Sequence, residues 1–120
     1  MLKIINVTFL TSYCSLIFWL SSRSSIPTPM LFLHQDKLHH LGAYFIMGIL
    51  AWRFFNDYFC KPMTVFIFSL SFCSLYGLSD EWHQYYTPDR EADILDWLAD
   101  TLGACLALMS IQLTKKRLHS

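Results

Sequence analysis

The sequence predicts an all-α fold: a four-helix transmembrane bundle made by a single domain, residues 1–120. Hydrophobic residues make up 54% of the chain and aromatic residues 17%, more than a soluble core of this size requires. The apolar residues gather in four runs of about 17 to 21 residues, each long enough to cross roughly 30 Å of hydrocarbon. Most of these runs lack the polar outer face that a soluble bundle would need. We therefore expect an integral membrane protein.

The first span is predicted at about 2–20. It begins beside Lys3 and ends at Trp19, before a serine-rich stretch. A cleaved signal sequence is the alternative, but the run is long for one and lacks a small-x-small cleavage site. Pro27 and Pro29 then favour an irregular connection to the second span.

The second span is predicted at about 37–55 and the third at about 63–79. Asp36 precedes the second span, where a helix N-terminus favours negative charge. Pro62 suits the first turn of the third span, because its missing N–H would have no partner there in any case. We expect residues 80–92 to form an acidic connection to the last span.

The fourth span is predicted at about 93–113, before three basic residues. An even number of spans puts both termini on one side, with six basic residues beside them and three on the opposite face. The positive-inside rule therefore predicts cytoplasmic termini and an acidic site at the outer-leaflet end. The six residues are Lys3, Arg53, Lys61, Lys115, Lys116 and Arg117, and the three are Arg23, Lys37 and Arg90.

Composition and motifs argue against several functions. The formal net charge is zero, so no basic face indicates nucleic-acid binding. The four cysteines show no CxxC spacing, which argues against a disulfide framework or a zinc site. Glu81, Trp82 and His83 lack the HExxH spacing, and neither a phosphate-binding glycine loop nor a GxSxG elbow occurs. The sequence thus assigns no metal ligand.

Acidic residues concentrate where charge is energetically costly. Seven of the nine acids lie between Leu75 and Gly103, beside apolar runs. A charged group in hydrocarbon costs roughly 2.5 to 3.5 kcal/mol on insertion scales, so such groups usually face the bundle interior and have a function. For Asp89 and Glu91, next to Pro88, a solvated turn is the simpler interpretation.

Helical projection divides the fourth span into two stripes. One has acids followed by small residues, which allow a second helix to approach closely. The other is apolar and is expected to face lipid. The first stripe is Asp93, Asp96, Trp97, Asp100, Gly103, Ala104 and Ala107, and the second is Ile94, Leu95, Leu98, Leu102, Leu106, Met109 and Leu113.

The second and third spans add further polar groups. His40 shares a stripe of the second span with an acid, a lysine and a tyrosine, whereas His39 projects elsewhere. Glu81 and Gln84 share a face if the third helix continues that far. The stripe of the second span is Asp36, Lys37, His40, Tyr44, Met47, Gly48 and Ala51. The predicted ligand-binding residues are Asp36, Lys37, His40, Tyr44, Asp80, Glu81, Gln84, Arg90, Asp93, Asp96 and Asp100.

This cluster has an excess of negative charge. Its six acids meet two fixed cations, Lys37 and Arg90. Protonated carboxyls, a protonated His40, a bound divalent cation or a cationic ligand group could each relieve the excess, and the sequence requires none of them in particular. The six acids are Asp36, Asp80, Glu81, Asp93, Asp96 and Asp100.

Asp96 and Asp100 are predicted to behave differently. They lie one turn apart, about 6 Å by helix rise, with Asp100 deeper in the membrane. We expect Asp100 to be protonated or paired, as a hydrogen-bonding group. We expect Asp96 to be ionised and paired with Lys37, His40 or Arg90.

The polar residues resemble two signatures of VanZ-like membrane proteins over about residues 15–108. Asp36, Lys37, His40 and Tyr44 match the pattern D-K-x-x-H-x-x-x-Y. The second signature, D-E-x-x-Q followed by R, D and N-T-x-G, is similar to Asp80, Glu81, Gln84, Pro88, Arg90, Asp96, Thr101 and Gly103. Asp100 departs from this pattern, since asparagine is usual there.

The resemblance implies a multi-pass protein of the bacterial cytoplasmic membrane, related to proteins of teicoplanin resistance. The expected partner is a membrane lipid or a lipid-linked cell-wall precursor, and we expect no nucleic-acid partner. Binding or modification of its head group is the first hypothesis, with Glu81, Asp96 or His40 as candidate catalytic residues. A non-catalytic scaffold is the alternative, and an ion-coupled transporter ranks third because the stripes become apolar below Tyr44 and Asp100.

Overall fold

The computed structural model of the protein describes residues 2–21, 35–87 and 94–118. Within these ranges the chain forms four α-helices and no strand. They are α1 (Leu2–Ser21), α2 (Gln35–Asn56), α3 (Pro62–Tyr85) and α4 (Ile94–Leu118). The all-α, four-helix prediction is confirmed.

Three of the four helices in the described ranges, α1, α3 and α4, are long and apolar enough to cross a membrane. The helix α2 has similar length but contains Lys37, Arg53 and two histidines. It packs against all three of the other helices, so its polar side chains can be covered by protein rather than lipid. This arrangement is typical of a multi-helix membrane protein.

The helix α3 continues well past the predicted end of its span. Residues 80–85 are helical, so the expected acidic connection begins later than Asp80. The extension has a physical reason, because Asp80, Glu81 and Gln84 are buried on one face against the neighbouring helices. The helix ends where the backbone N–H groups of Tyr86 and Thr87 donate to the carbonyl oxygens of His83 and Gln84. The last helix, α4, likewise continues to Leu118, beyond the predicted end at residue 113.

Polar contacts fix the direction of the helices. Asn6 Nδ2 donates to Asp57 Oδ2 over 2.8 Å, and the Tyr13 hydroxyl donates to the carbonyl oxygen of Ala43 over 2.6 Å. The first contact joins the start of α1 to the region just after α2, and the second joins the middle of α1 to the first half of α2, so the two helices are antiparallel. The four helices alternate in direction, with α1 and α3 running opposite to α2 and α4.

One end of the bundle therefore contains the starts of α2 and α4 and the ends of α1 and α3; we call it the polar end. At the opposite, basic end, Lys3 Nζ lies 5.0 Å from the centre of the Tyr58 ring. Lys115 Nζ similarly lies 4.0 Å from the centre of the Trp52 ring. The two lysines, from the first and last helices, thus meet aromatic rings at the same end.

The closest helix contact joins α2 to α4. A Cβ atom built on Gly103 would collide with the backbone carbonyl of Leu41, and one built on Gly48 would lie 3.0 Å from the carbonyl oxygen of Ala104. Small residues bring the two backbones together, as helix association in lipid requires. The predicted small-residue stripe of α4 therefore has a partner, which is α2.

The predicted division of α4 into a buried stripe and a lipid-facing stripe is also confirmed. The described residues of its apolar stripe are 41% to 62% exposed, so this face is open to lipid. Asp96, Asp100, Gly103, Ala104 and Ala107 are buried on the other side. On α2 the stripe residues Tyr44, Met47, Gly48 and Ala51 are buried as well, while His39 is exposed.

We expect Gly103→Ala to destabilise the fold, because the new methyl group must push the Leu41 backbone away. Overpacking of this kind costs about 1 to 3 kcal/mol. The matched control is Gly42→Ala, since nothing lies within 4 Å of a Cβ built there. The thermal unfolding midpoint in detergent should fall for Gly103→Ala and stay level or rise for Gly42→Ala. Equal midpoints for the two variants would contradict the close packing of α2 on α4.

Candidate functional site

The centre of the polar end is a contact between α2 and α4. His40 Nδ1 lies 2.8 Å from Asp100 Oδ1, within hydrogen-bonding and ion-pairing distance. The Asp100 side chain is 0% exposed and that of His40 is 16% exposed. An acid so deeply buried requires a partner, and His40 supplies one, as the prediction of a paired Asp100 requires.

A second pair lies one turn nearer the end of the bundle. Lys37 Nζ is 3.1 Å from Asp96 Oδ1, and Asp96 Oδ2 is 3.9 Å from His40 Nε2. The imidazole of His40 therefore lies between two carboxylates, one against each ring nitrogen. The structure pairs Asp96 with Lys37, which is one of the three partners predicted for it.

The helix α3 contributes the third wall. Asp80, Glu81 and Gln84 are 5%, 7% and 2% exposed, so all three face the bundle. Glu81 and Gln84 therefore share one face of α3, as expected for a helix that continues this far. His40, Glu81 and Asp100 each offer one nitrogen or oxygen atom within 4.8 Å of the others. Three helices thus bring one imidazole and two carboxylates together, a donor set that could hold a cation.

Glycine at position 77 allows α3 to approach the buried acid. A Cβ built on Gly77 would lie 3.0 Å from Asp100 Oδ2. On the flank of this contact, Trp97 Nε1 donates to the carbonyl oxygen of Ser74 over 2.9 Å, and the hydroxyls of Ser74 and Thr101 are 3.1 Å apart. These bonds hold α3 against α4 beside the cluster.

Tyr44 lies below His40 on the same stripe of α2. It is 1% exposed, and it lines a cavity of about 120 Å³ together with His40, Asp80 and Gln84. Its hydroxyl has no hydrogen-bond partner within the part of the chain that the structure describes. Buried hydroxyls are normally satisfied, so this group is available to a ligand or a water molecule.

An apolar groove runs along the outside of α3 and α4 and reaches the cluster at Glu81. Its volume is about 600 Å³, and it is open to the surroundings of the bundle. Sequence reasoning missed this feature because its residues come from two helices and appear individually as lipid-facing side chains. The lining residues are Leu75, Leu78, Ser79, Glu81, Trp82, Tyr85, Ile94 and Trp97.

The structure thus brings together eight of the predicted site residues. These are Lys37, His40, Tyr44, Asp80, Glu81, Gln84, Asp96 and Asp100. The other three predicted residues, Arg90, Asp93 and the side chain of Asp36, lie outside the described residues. Of the candidate catalytic residues, Glu81 alone lines the apolar groove, whereas His40 and Asp96 face each other between α2 and α4.

The predicted excess of negative charge persists among the described residues. Four acids meet one lysine and one histidine: the acids are Asp80, Glu81, Asp96 and Asp100, and the bases are Lys37 and His40. Such a cluster can transfer protons, attract a cation or hold a polar head group.

A sequence model of the VanZ/LLP1 family matches residues 3–115, which is nearly the whole chain. The chain belongs to the VanZ/LLP1 family. This confirms the resemblance that the two polar signatures indicated and extends it over all four helices. Together with the apolar helices, it makes the chain a membrane protein of the VanZ type. Comparisons with curated proteins and with solved structures gave no significant match.

Two substitutions of Asp100 test whether its contact with His40 supports the VanZ bundle. Asparagine can either donate to or accept from the imidazole, so Asp100→Asn should leave the unfolding midpoint in detergent nearly unchanged. Leucine has the same branching as aspartate but bulkier ends and no polar atom. Asp100→Leu should therefore cost at least about 1 to 3 kcal/mol by leaving a buried ring nitrogen unsatisfied. A leucine variant as stable as the asparagine variant would show that the contact contributes nothing to folding.

Proposed function

We propose that this VanZ-type protein spans the bacterial cytoplasmic membrane several times and binds the head group of an amphiphile at its polar end. The amphiphile is a membrane lipid or a lipid-linked cell-wall precursor. The observation that carries the proposal is the position of Glu81, which belongs to the buried polar cluster and also lines the apolar groove. A single molecule with an apolar chain and a polar head would fit both surfaces.

Aromatic side chains around the groove support a position of the polar cluster near the membrane–water interface. Trp82, Tyr85 and Tyr86 are 69%, 69% and 71% exposed around the end of α3. Exposed tryptophan and tyrosine gather at the membrane–water interface, at the level of the lipid head groups. The cluster would therefore lie just inside the interface, within reach of a head group whose chain remains in the bilayer.

The distribution of basic residues supports an outward-facing site. The basic end carries Lys3, Arg53 and Lys61 with the three basic residues at the end of α4. Within the described residues, the polar end has a single lysine, Lys37, and no arginine. The positive-inside rule then puts the basic end in the cytoplasm. The polar end would face the outer leaflet, where lipid-linked cell-wall precursors are used.

Transport of an ion through the bundle is disfavoured by the layer beneath the cluster. Met47, Ala51, Cys73, Ala104 and Leu108 are all fully buried there. Ser69, one turn below Cys73 on α3, adds one fully buried hydroxyl. Within the residues that the structure describes, this layer therefore has no continuous row of polar groups on which an ion or a proton could cross.

Catalysis remains the second function for the same site. Glu81 is placed to act as a general base toward a head group in the groove, because its carboxylate is beside both the apolar lining and the buried imidazole. Lys37, positioned by its ion pair with Asp96, would then orient an anionic part of the head group. A scaffold that uses these ion pairs only to join the helices is the third possibility.

We expect a bulky residue in the groove to reduce lipid binding without disturbing the fold. Leu78→Trp fills the groove, whereas Leu98→Trp puts the same ring on a lipid-facing surface of α4 with similar exposure, 49% against 47%. Mass spectrometry of lipids that copurify in mild detergent should show at least one amphiphile depleted several-fold in Leu78→Trp and retained in Leu98→Trp. Identical lipid contents in both variants would contradict the proposal.

The same lipid analysis on whole cells separates binding from modification. Cells with and without the gene should have the same head-group inventory if the protein only binds. A head group that is altered only when the wild-type protein is present, and not with Glu81→Gln, would establish the enzymatic function instead.

A further inference from the structure

We propose that His40, Glu81 and Asp100 form a binding site for a divalent transition-metal ion, with Zn²⁺ or Mn²⁺ as the chemically favoured ions. The site joins α2, α3 and α4 at the centre of the polar end. The inference does not depend on the identity of any lipid, because the three side chains are contributed by the folded chain itself.

The distances between the donor atoms suit one ion. One nitrogen or oxygen atom from each residue lies within 4.8 Å of the other two, and His40 Nδ1 is 2.8 Å from Asp100 Oδ1. Ligand atoms bound tetrahedrally to one Zn²⁺ at about 2.0 to 2.2 Å lie about 3.3 to 3.6 Å apart. Side-chain shifts of up to about 1.5 Å, which rotamer adjustments can supply, would therefore bring all three atoms into a first coordination sphere and move His40 Nδ1 slightly away from Asp100 Oδ1.

Two buried polar atoms support a ligand at this position, and one of them lies outside the three proposed metal ligands. Asp100 Oδ2 is fully buried and has no hydrogen-bond partner among the residues that the structure describes. The Tyr44 hydroxyl also has no hydrogen-bond partner within the described ranges. Tyr44 is 1% exposed and lines the cavity beside His40. Buried polar atoms are normally satisfied. A metal ion and its bound water would provide partners for both.

The surroundings of His40 match those of a metal-binding histidine. Such a residue usually directs its second ring nitrogen toward a carboxylate, which fixes the ring and increases its basicity. His40 Nε2 faces Asp96 Oδ2 at 3.9 Å, an ion-pairing distance that a small movement would shorten to a hydrogen bond, and Asp96 is held by Lys37. If His40 Nδ1 binds the ion, Asp96 becomes the outer carboxylate of this arrangement and acts as a positioning residue.

The donor set also indicates the class of ion. An imidazole nitrogen with carboxylate oxygens suits Zn²⁺ and Mn²⁺, whereas Mg²⁺ and Ca²⁺ prefer oxygen ligands alone. Two carboxylates neutralise a divalent charge, which lowers the cost of holding it between helices. Three protein ligands would also leave a coordination position for water, as catalytic zinc sites do.

The test uses the full chain, purified in detergent, stripped with a chelator, and then titrated with ZnCl₂ or MnCl₂. Metal content after desalting should reach about one ion per wild-type chain. Asp100→Asn and His40→Gln each keep a hydrogen-bonding side chain in place, so the purified variants should still give a folded signal, with a lower unfolding midpoint for His40→Gln, and should lose the bound ion. Asp96→Asn should bind about 10- to 100-fold more weakly. Binding of Co²⁺ should give a visible absorption band, a readout that needs no lipid and no enzymatic activity.

His39→Gln and Cys60→Ser are the controls, since both residues are exposed potential metal ligands outside the proposed site. Both should bind metal as the wild type does. Failure of the folded wild-type protein to retain either metal would overturn the proposal. Retention of one ion per chain in both His40→Gln and Asp100→Asn would also overturn it, by showing that the metal binds elsewhere.

Discussion

Ionised groups are costly in hydrocarbon, and this constraint governs how the bundle is arranged. The buried acids of α4 can remain inside because α2 presents Lys37 to Asp96 and His40 to Asp100 at hydrogen-bonding distance. Breaking such a buried pair by removing one partner is far more costly than losing an exposed one. The helix α2 therefore has to occupy the centre of the bundle, with the apolar faces of the other helices turned to lipid.

Close backbone packing makes this pairing possible. Gly103 lets α4 contact the backbone of α2, and Gly77 lets α3 reach the Asp100 side chain. Larger residues at either position would separate the helices whose side chains must meet. The small residues and the acids on the same stripe of α4 therefore serve one purpose, which is to bring charged side chains from three helices into one cluster. The metal site and the head-group site that we propose both use this cluster.

The sequence predicted the helices and their faces better than the site that they form. Hydrophobic run lengths located all four helices, and the 3.6-residue period correctly separated buried Asp100 from exposed Leu98. The predicted span of α3 stops at residue 79, where the apolar run ends, whereas the helix continues to Tyr85. Its last turns are polar, and only packing against the other helices shows that these polar side chains are buried. Burial by tertiary contact has no local sequence signal, so a hydrophobicity pattern ends too early there.

The three proposed metal ligands and the apolar groove are contributed by different helices, so no residue spacing within one segment reveals them. His40 and Asp100 are separated by 60 residues, so a search for local metal motifs could not find them together. The groove likewise combines lipid-facing residues such as Leu78 and Ile94, each of which is unremarkable alone. Only the antiparallel arrangement of α3 and α4 puts these residues beside Glu81.

The most direct test of the account is the sidedness of the polar end. Cys60 and Tyr86 are both exposed and flank α3 at its two ends, so each can serve as the single cysteine in a chain whose other cysteines are replaced by alanine. A membrane-impermeant maleimide added to intact spheroplasts should label Tyr86→Cys and spare Cys60 until the membrane is permeabilised. The opposite result, with Cys60 labelled from outside and Tyr86→Cys protected, would place the charged cluster on the cytoplasmic side and contradict an outward-facing site for a lipid head group.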